Sequence, residues 1–221
     1  MKPIGHIRSE FKEKFGIPKQ PGLAPSLEAT LVLEGEWAHE TCWRGLDECS
    51  HLWVIFQFHA SEVFEGGTVR PPLLGGEKRM GVFSTRSPHR PNPIGLSLVS
   101  RGSITQQGKE THIRVTGHDF LNGTPILDIK PYVSSYDQPT GAAKHWSDGH
   151  TAAVLPVRWE VKPPTRMFQQ KVEEILRLDP RPRSSKATNF GILLENINVV
   201  FEIDAGAIVV RSLLQDDEKI K

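Results

Sequence analysis

The sequence predicts a mainly β protein: an N-terminal β-barrel over residues 1–135 that is not a Rossmann fold, then a 136–160 loop region, then a small α+β C-terminal domain over 161–221. Three observations predict it. Short apolar stretches recur from Ile4 to Val133, bounded by Gly or Pro turns, as in an all-β unit. No G-x-G-x-x-G follows a strand and no G-x-x-x-x-G-K-[ST] string occurs, so the glycine loops of Rossmann and P-loop nucleotide binding are missing. Beyond residue 160 the apolar period becomes that of one amphipathic helix followed by a hairpin.

Each element follows from local pattern. Ile4–Arg8 reads as a short strand, and Gly16, Pro18, Pro21 and Gly22 make the following KEKFGIPKQPGL a loop. Thr30–Leu33 is a strand, TCWRGLDECS a short helix or turn, and Leu52–Phe58 a nearly continuous apolar strand expected to be central and buried. A Gly/Pro loop, FEGGTVRPPLLGGEKR, precedes a strand in which Ile94, Leu96 and Leu98 alternate with Gly95, Ser97 and Val99. Strands at His112–Thr116 and Pro125–Val133 complete the barrel, and polar residues 134–150 read as a long flexible loop. In Thr165–Leu178 the residues Met167, Phe168, Val172, Ile175 and Leu176 share a helical face that ends at Asp179–Pro180. Strands Asn189–Leu194, Ile197–Ile203 and Ala207–Leu213 follow, the last two joined by an Asp204–Gly206 turn, before a polar tail.

Composition excludes more than it selects. A net charge of +1 over 221 residues says nothing about partners when taken over the whole chain. No apolar run approaches the roughly 18 residues of a membrane span and the start lacks a signal-peptide core, so a cytoplasmic protein with no membrane segment is expected. Cys42 and Cys49, with six residues between them, suit reduced thiols rather than a disulfide framework or a zinc site. The histidines form no metal-ligand spacing, and no metal is expected. Gly95–Val99 lacks the second glycine of a nucleophile elbow, which makes Ser97 a strand hydroxyl.

The charge is local. From Lys78 to Lys109 there is no Asp or Glu, while Lys78, Arg79, Arg86, Arg90, Arg101 and Lys109 are cationic. Within this run Pro88, Pro91 and Pro93 stiffen the backbone and push Ser87, Arg90 and Asn92 out of the helical region, giving an extended anion-binding loop. Three further polar loops, at Pro18–Gln20, Phe58–His59 and Asn122–Asp128, can meet it on one barrel rim. Asp128, Lys130 and Tyr132 face one way on their strand, either as a functional set or as a solvated face.

The strings IRSEFKEKFGIPKQPGL, GLDECSHLWVIFQFH, TVRPPLLGG, RMGVFSTRSPHRPNPIGLSLV, NGTPILDIKPY and DPRPR occur in order along nearly the whole chain. Together they resemble the TrmO family, also called TsaA or YaeB. The resemblance implies a barrel-fold, homodimeric, S-adenosylmethionine-dependent tRNA methyltransferase acting on N6 of threonylcarbamoyladenosine 3′ of the anticodon. By motif it implies a cofactor site of Pro18, Lys19, Gln20, Phe58, His59, Arg86, Leu96, Asn122, Gly123, Thr124 and Pro125. It implies Asn92, Asp128 and Tyr132 as residues acting at the reaction, and Arg90, Arg181 and Arg183 as tRNA contacts. Many relatives carry Arg in place of Lys19 and Asp in place of Asn122. The alternative from another class is a non-catalytic barrel that binds RNA or a nucleotide.

Overall fold

Alternation along the strands sets the architecture of the N-terminal half. The computed structural model describes residues 1–62, 64–149, 154–181 and 187–215. In chain order its first elements are β1 (Gly5–Ser9), β2 (Glu28–Leu33), α1 (Glu40–Trp43), β3 (His51–Gln57), β4 (Thr68–Val69) and β5 (Met80–Gly81). They are followed by β6 (Ile94–Gln107), β7 (Glu110–Thr116), β8 (Pro125–Pro131) and α2 (Ser134–Asp137). Six of these strands close into an antiparallel barrel in the order β1-β2-β7-β6-β3-β8. Ile7, Leu31, Leu52, Val54, Ile113 and Ile126 fill it, fully buried. Each such side chain stabilises the fold by about 1.5–3 kcal/mol relative to exposure.

β3 is central, bonded to β6 on one side and β8 on the other, but it is not buried on both faces as expected. A barrel strand has one face toward the core, so Leu52, Val54 and Phe56 point in while Trp53 and Ile55 are half-exposed outside. Gly95 in β6 opposes Phe56, and a Cβ there would lie 2.2 Å from the Phe56 ring; only glycine lets that ring lie across the strand. Arg101 from the cationic run is structural: its guanidinium donates to the carbonyls of Cys49 (2.8 Å), Asp47 (2.8 Å) and Gly102 (2.6 Å).

The second unit contains β9 (Val157–Trp159), α3 (Arg166–Leu176), β10 (Asn189–Leu194), β11 (Ile197–Asp204) and β12 (Ala207–Gln215), its sheet ordered β10-β11-β12-β9. β9 falls inside the expected 136–160 loop region yet pairs in parallel with β12; three residues are too few for a visible period. The 134–149 stretch is also more structured than expected. It opens with α2, and the Trp146 indole N–H donates to the Ser84 carbonyl at 2.8 Å. In α3 Thr165 caps the N-terminus, accepting from the Phe168 N–H at 3.0 Å, and Phe168, Val172, Ile175 and Leu176 are buried. Met167 is 56% exposed, past the edge of that stripe.

The two units are not independent. Phe11, Ala24 and Leu27, from the loop between β1 and β2, are buried in the same cluster as Phe168, Val172 and Phe201. Ser26 adds polar ties to α3, its N–H and hydroxyl donating to the Glu174 carboxylate at 2.8 and 2.7 Å. Glu10 is the hub beside them. It meets the Lys171 ammonium at 2.9 Å and His118 at 3.6 Å, and accepts from the Glu28 N–H at 3.2 Å. Burial works against ionisation of Glu10, yet His118 and Lys171 outweigh it and hold its pKa below the usual carboxylate value.

Candidate functional site

A cavity of about 510 Å³ opens at one end of the barrel. Its first wall is the loop carrying Lys14, Pro18, Lys19 and Gln20. That wall is set from the C-terminal unit: Phe15 stacks on Phe190 with ring centres 6.4 Å apart, and Gly16, at φ +93°, sits where a Cβ would be 3.0 Å from Ile192. The second wall continues from β3 through Phe58 and His59. Phe56 meets Phe58 and Phe120 edge-on at 5.0 and 5.1 Å, and the Phe58 N–H donates to the Pro93 carbonyl at 2.7 Å.

The third wall is the proline-rich segment, contributing Thr85, Arg86, His89 and Arg90. Hydroxyl–amide bonds reinforce it. The Ser87 N–H donates to Thr85 Oγ1 at 3.3 Å and the His89 N–H to Ser87 Oγ at 3.2 Å. Arg86 Nη1 donates to Gln20 Oε1 at 2.7 Å, which joins this wall to the first. The floor comprises the start of β6, Leu121, Thr124 and Asp119. Ser97, buried at 2% exposure, donates to Asp119 Oδ1 at 2.6 Å. Burial raises the Asp119 pKa above the usual value; the Ser97 hydrogen bond and the charges of His118 and Arg86 oppose that shift without cancelling it.

Of the residues implied for the cofactor site, Pro18, Lys19, Gln20, Phe58, His59, Arg86, Leu96 and Thr124 line this cavity. Asn122, Gly123 and Pro125 form the turn behind Thr124 instead. Asn122 Oδ1 accepts from the Ser9 N–H at 3.1 Å, so its side chain serves the barrel. Asn92, Asp128 and Tyr132 do not line the cavity either. Asn92 is an exposed turn residue whose carbonyl accepts from the Ile94 N–H at 2.7 Å. Asp128 pairs with Lys130 at 3.3 Å on the outer face, in register with Ile55, whose other neighbour is Leu96. The Tyr132 ring lies 6.5 Å from that of Trp53, which does line the cavity.

Arg90 is at the cavity wall, whereas Arg181 is held elsewhere. Its guanidinium clamps Asp179 through two hydrogen bonds, 2.7 and 2.9 Å, and lies 5.7 Å from the centre of the Phe190 ring. Arg183 lies outside the described residues. Sequence reasoning missed Lys14, Trp53 and Asp119. Asp119 sits in GHDFL beside His118, in no motif that marks a site.

Residues 6–138 match the tRNA-methyltransferase O N-terminal domain and residues 154–216 the TrmO C-terminal domain. The chain belongs to the TrmO family. An Escherichia coli K12 relative named tRNA (adenine(37)-N6)-methyltransferase is 38% identical over 220 residues, covering 92% of this chain and 93% of that protein. A Pseudomonas aeruginosa PAO1 protein named putative S-adenosylmethionine-dependent methyltransferase RcsF is 38% identical over 213 residues, 89% of each chain. A crystal structure of TrmO from Pseudomonas aeruginosa superposes with a TM-score of 0.76 at 31% identity, covering 96% of this chain and 97% of that one. The family and the barrel expected from the sequence motifs are therefore borne out, and the TrmO fold explains why no glycine fingerprint was needed.

Proposed function

We propose that this chain is an S-adenosylmethionine-dependent tRNA methyltransferase acting on N6 of adenosine 37, with threonylcarbamoyladenosine as the acceptor nucleoside. The observation that carries the reading is the barrel-end cavity, in a chain that matches the TrmO family over both of its units. Its residues fit the cofactor. A volume of about 510 Å³ suits a nucleoside-sized ligand. Arg86 and Lys19 suit a carboxylate, and Phe58 with Leu121 offers apolar surface to a purine.

When bound, S-adenosylmethionine supplies a methyl group already activated by its sulfonium. The chain's own task is then to align an in-line displacement, which gains most from fixed geometry, and to accept the proton that N6 gives up as sulfur departs as a neutral thioether, with His59 and Asp128 as the candidate acceptors. Gln20 orients Arg86, and Pro88 with the hydroxyl–amide turns at Thr85 and Ser87 stiffens the backbone between Arg86 and Arg90. We assign Arg86 to the cofactor and Arg90 to tRNA phosphate. Asp128 and Tyr132 share the outer barrel face with Trp53, and Asn92 borders the third wall; we assign these three to orienting the acceptor base. A homodimer would cover exposed large apolar side chains outside the cavity, Phe83 at 82% among them. We place the enzyme in the cytoplasm with its substrate.

Mass spectrometry of tRNA nucleosides from a strain lacking the gene tests this reading. N6-methyl-N6-threonylcarbamoyladenosine should disappear and its unmethylated precursor accumulate. An unchanged nucleoside profile would favour a barrel that binds RNA without modifying it.

A further inference from the structure

We infer that Asp119 and Arg86 together receive the α-amino-acid head of the cofactor, Asp119 taking the ammonium and Arg86 the carboxylate. The inference rests on the S-adenosylmethionine reading above and assigns a residue that no motif singled out. Among the described residues lining the cavity, Asp119 is the sole carboxylate, whereas Lys14, Lys19, Arg86 and Arg90 are all cationic. A ligand that was only anionic, such as a phosphate, would gain nothing from that carboxylate and would be repelled by it. A zwitterionic head needs both signs within one site.

The carboxylate is also built for a ligand. Ser97, itself buried at 2% exposure, donates to Oδ1 at 2.6 Å and so fixes the rotation of a carboxylate that lines the cavity. Arg86 is oriented in the same way, through Nη1 to Gln20 Oε1 at 2.7 Å, and its remaining N–H groups are available for a carboxylate. Both charges are thus aimed before the ligand arrives. Burial disfavours the Asp119 anion, and an arriving ammonium offsets that cost, which makes the pairing selective for a cationic donor.

Calorimetric titration of three ligands into the wild-type chain and Asp119→Asn tests this. The ligands are S-adenosylmethionine, S-adenosylhomocysteine, which keeps the head but has a neutral sulfur, and 5′-methylthioadenosine, which lacks the head. Asn keeps the shape and still accepts from Ser97, and thermal melts of the free chains report whether the variant is folded. The expected result is a loss of at least about tenfold for the first two ligands with 5′-methylthioadenosine nearly unchanged. Ser97→Ala should show the same selectivity with a smaller loss. Equal losses for all three ligands would put the carboxylate at the adenosine end, and a loss confined to S-adenosylmethionine would put it at the sulfonium; either outcome, or no loss, overturns the inference. Wild-type binding of S-adenosylmethionine checks the underlying reading separately, since its absence would remove the cofactor itself.

Discussion

Arg86 Nη1 donates to Gln20 Oε1 across 2.7 Å and so joins two loops that lie 66 residues apart in sequence. The bond spans the first and third walls of the cavity, and each is stiffened independently: the first by the C-terminal core, the third by prolines and hydroxyl–amide turns. Removing either end should therefore have unequal effects. Arg86→Ala is expected to abolish S-adenosylmethionine binding in calorimetry, because the charge is lost. Gln20→Ala removes only the orienting partner and should weaken binding by about 0.5–1.5 kcal/mol, the worth of one ordinary hydrogen bond.

Arg90 and Arg181 should separate in a salt titration of tRNA binding. Arg90→Ala is expected to weaken binding and to reduce the dependence of log K on log salt by about one phosphate contact. Arg181→Ala should leave that slope alone, since its guanidinium is committed to Asp179 and the Phe190 face. Its cost, about 1 kcal/mol, should appear in thermal stability. A salt slope that falls in Arg181→Ala would contradict the assignment.

The support of the first wall by the C-terminal unit can be tested at Gly16. A side chain at φ +93° is strained and also meets Ile192, so Gly16→Ala should cost about 1–3 kcal/mol in denaturant unfolding. It should weaken cofactor binding as well, although Gly16 does not line the cavity, because Lys14, Pro18 and Gln20 move with it. Undiminished affinity in a destabilised variant would show that the wall is not set from that side.

The Glu10 hub predicts how stability depends on pH. The Glu10 pKa is lowered in the folded chain, so its contribution is complete above the usual carboxylate value and is lost as pH falls through the lowered folded value. The Lys171 pKa is raised: burial opposes its charge, but Glu195 and Glu10 outweigh that effect. Its contribution is complete below the usual lysine value and lost as pH rises through the raised one. Urea midpoints should show both arms. Glu10→Gln should flatten the acid arm attributable to this pair and cost up to about 3–5 kcal/mol at neutral pH, less whatever Glu195 continues to supply to Lys171.

The sequence was most legible where period or backbone chemistry speaks locally. The strand from Asn189 to Leu194 matches its predicted bounds, α3 stops at Leu176 just before the chain turns at Asp179 with positive φ, and the Asp204–Gly206 turn joins β11 to β12 with positive φ at Ala205 and Gly206. It was least legible where a residue's partner is distant in sequence. Nothing in KEKFGIPKQPGL announces that Phe15 will stack on Phe190, or that Phe11 and Leu27 will be buried with α3. Asp119, in the loop between β7 and β8, gave no spacing signal because its partner Ser97 comes from β6. The members of the cationic run divide: Arg86 and Arg90 line the cavity, whereas Arg101 holds the turn before β3.

Methyl transfer in vitro tests the central claim most directly. Wild-type chain, methyl-labelled S-adenosylmethionine and tRNA that carries threonylcarbamoyladenosine at position 37 should yield label in that nucleoside alone, and Arg86→Ala should yield none. Absence of label with both cofactor and tRNA binding intact, or label in a different nucleoside, would contradict the account.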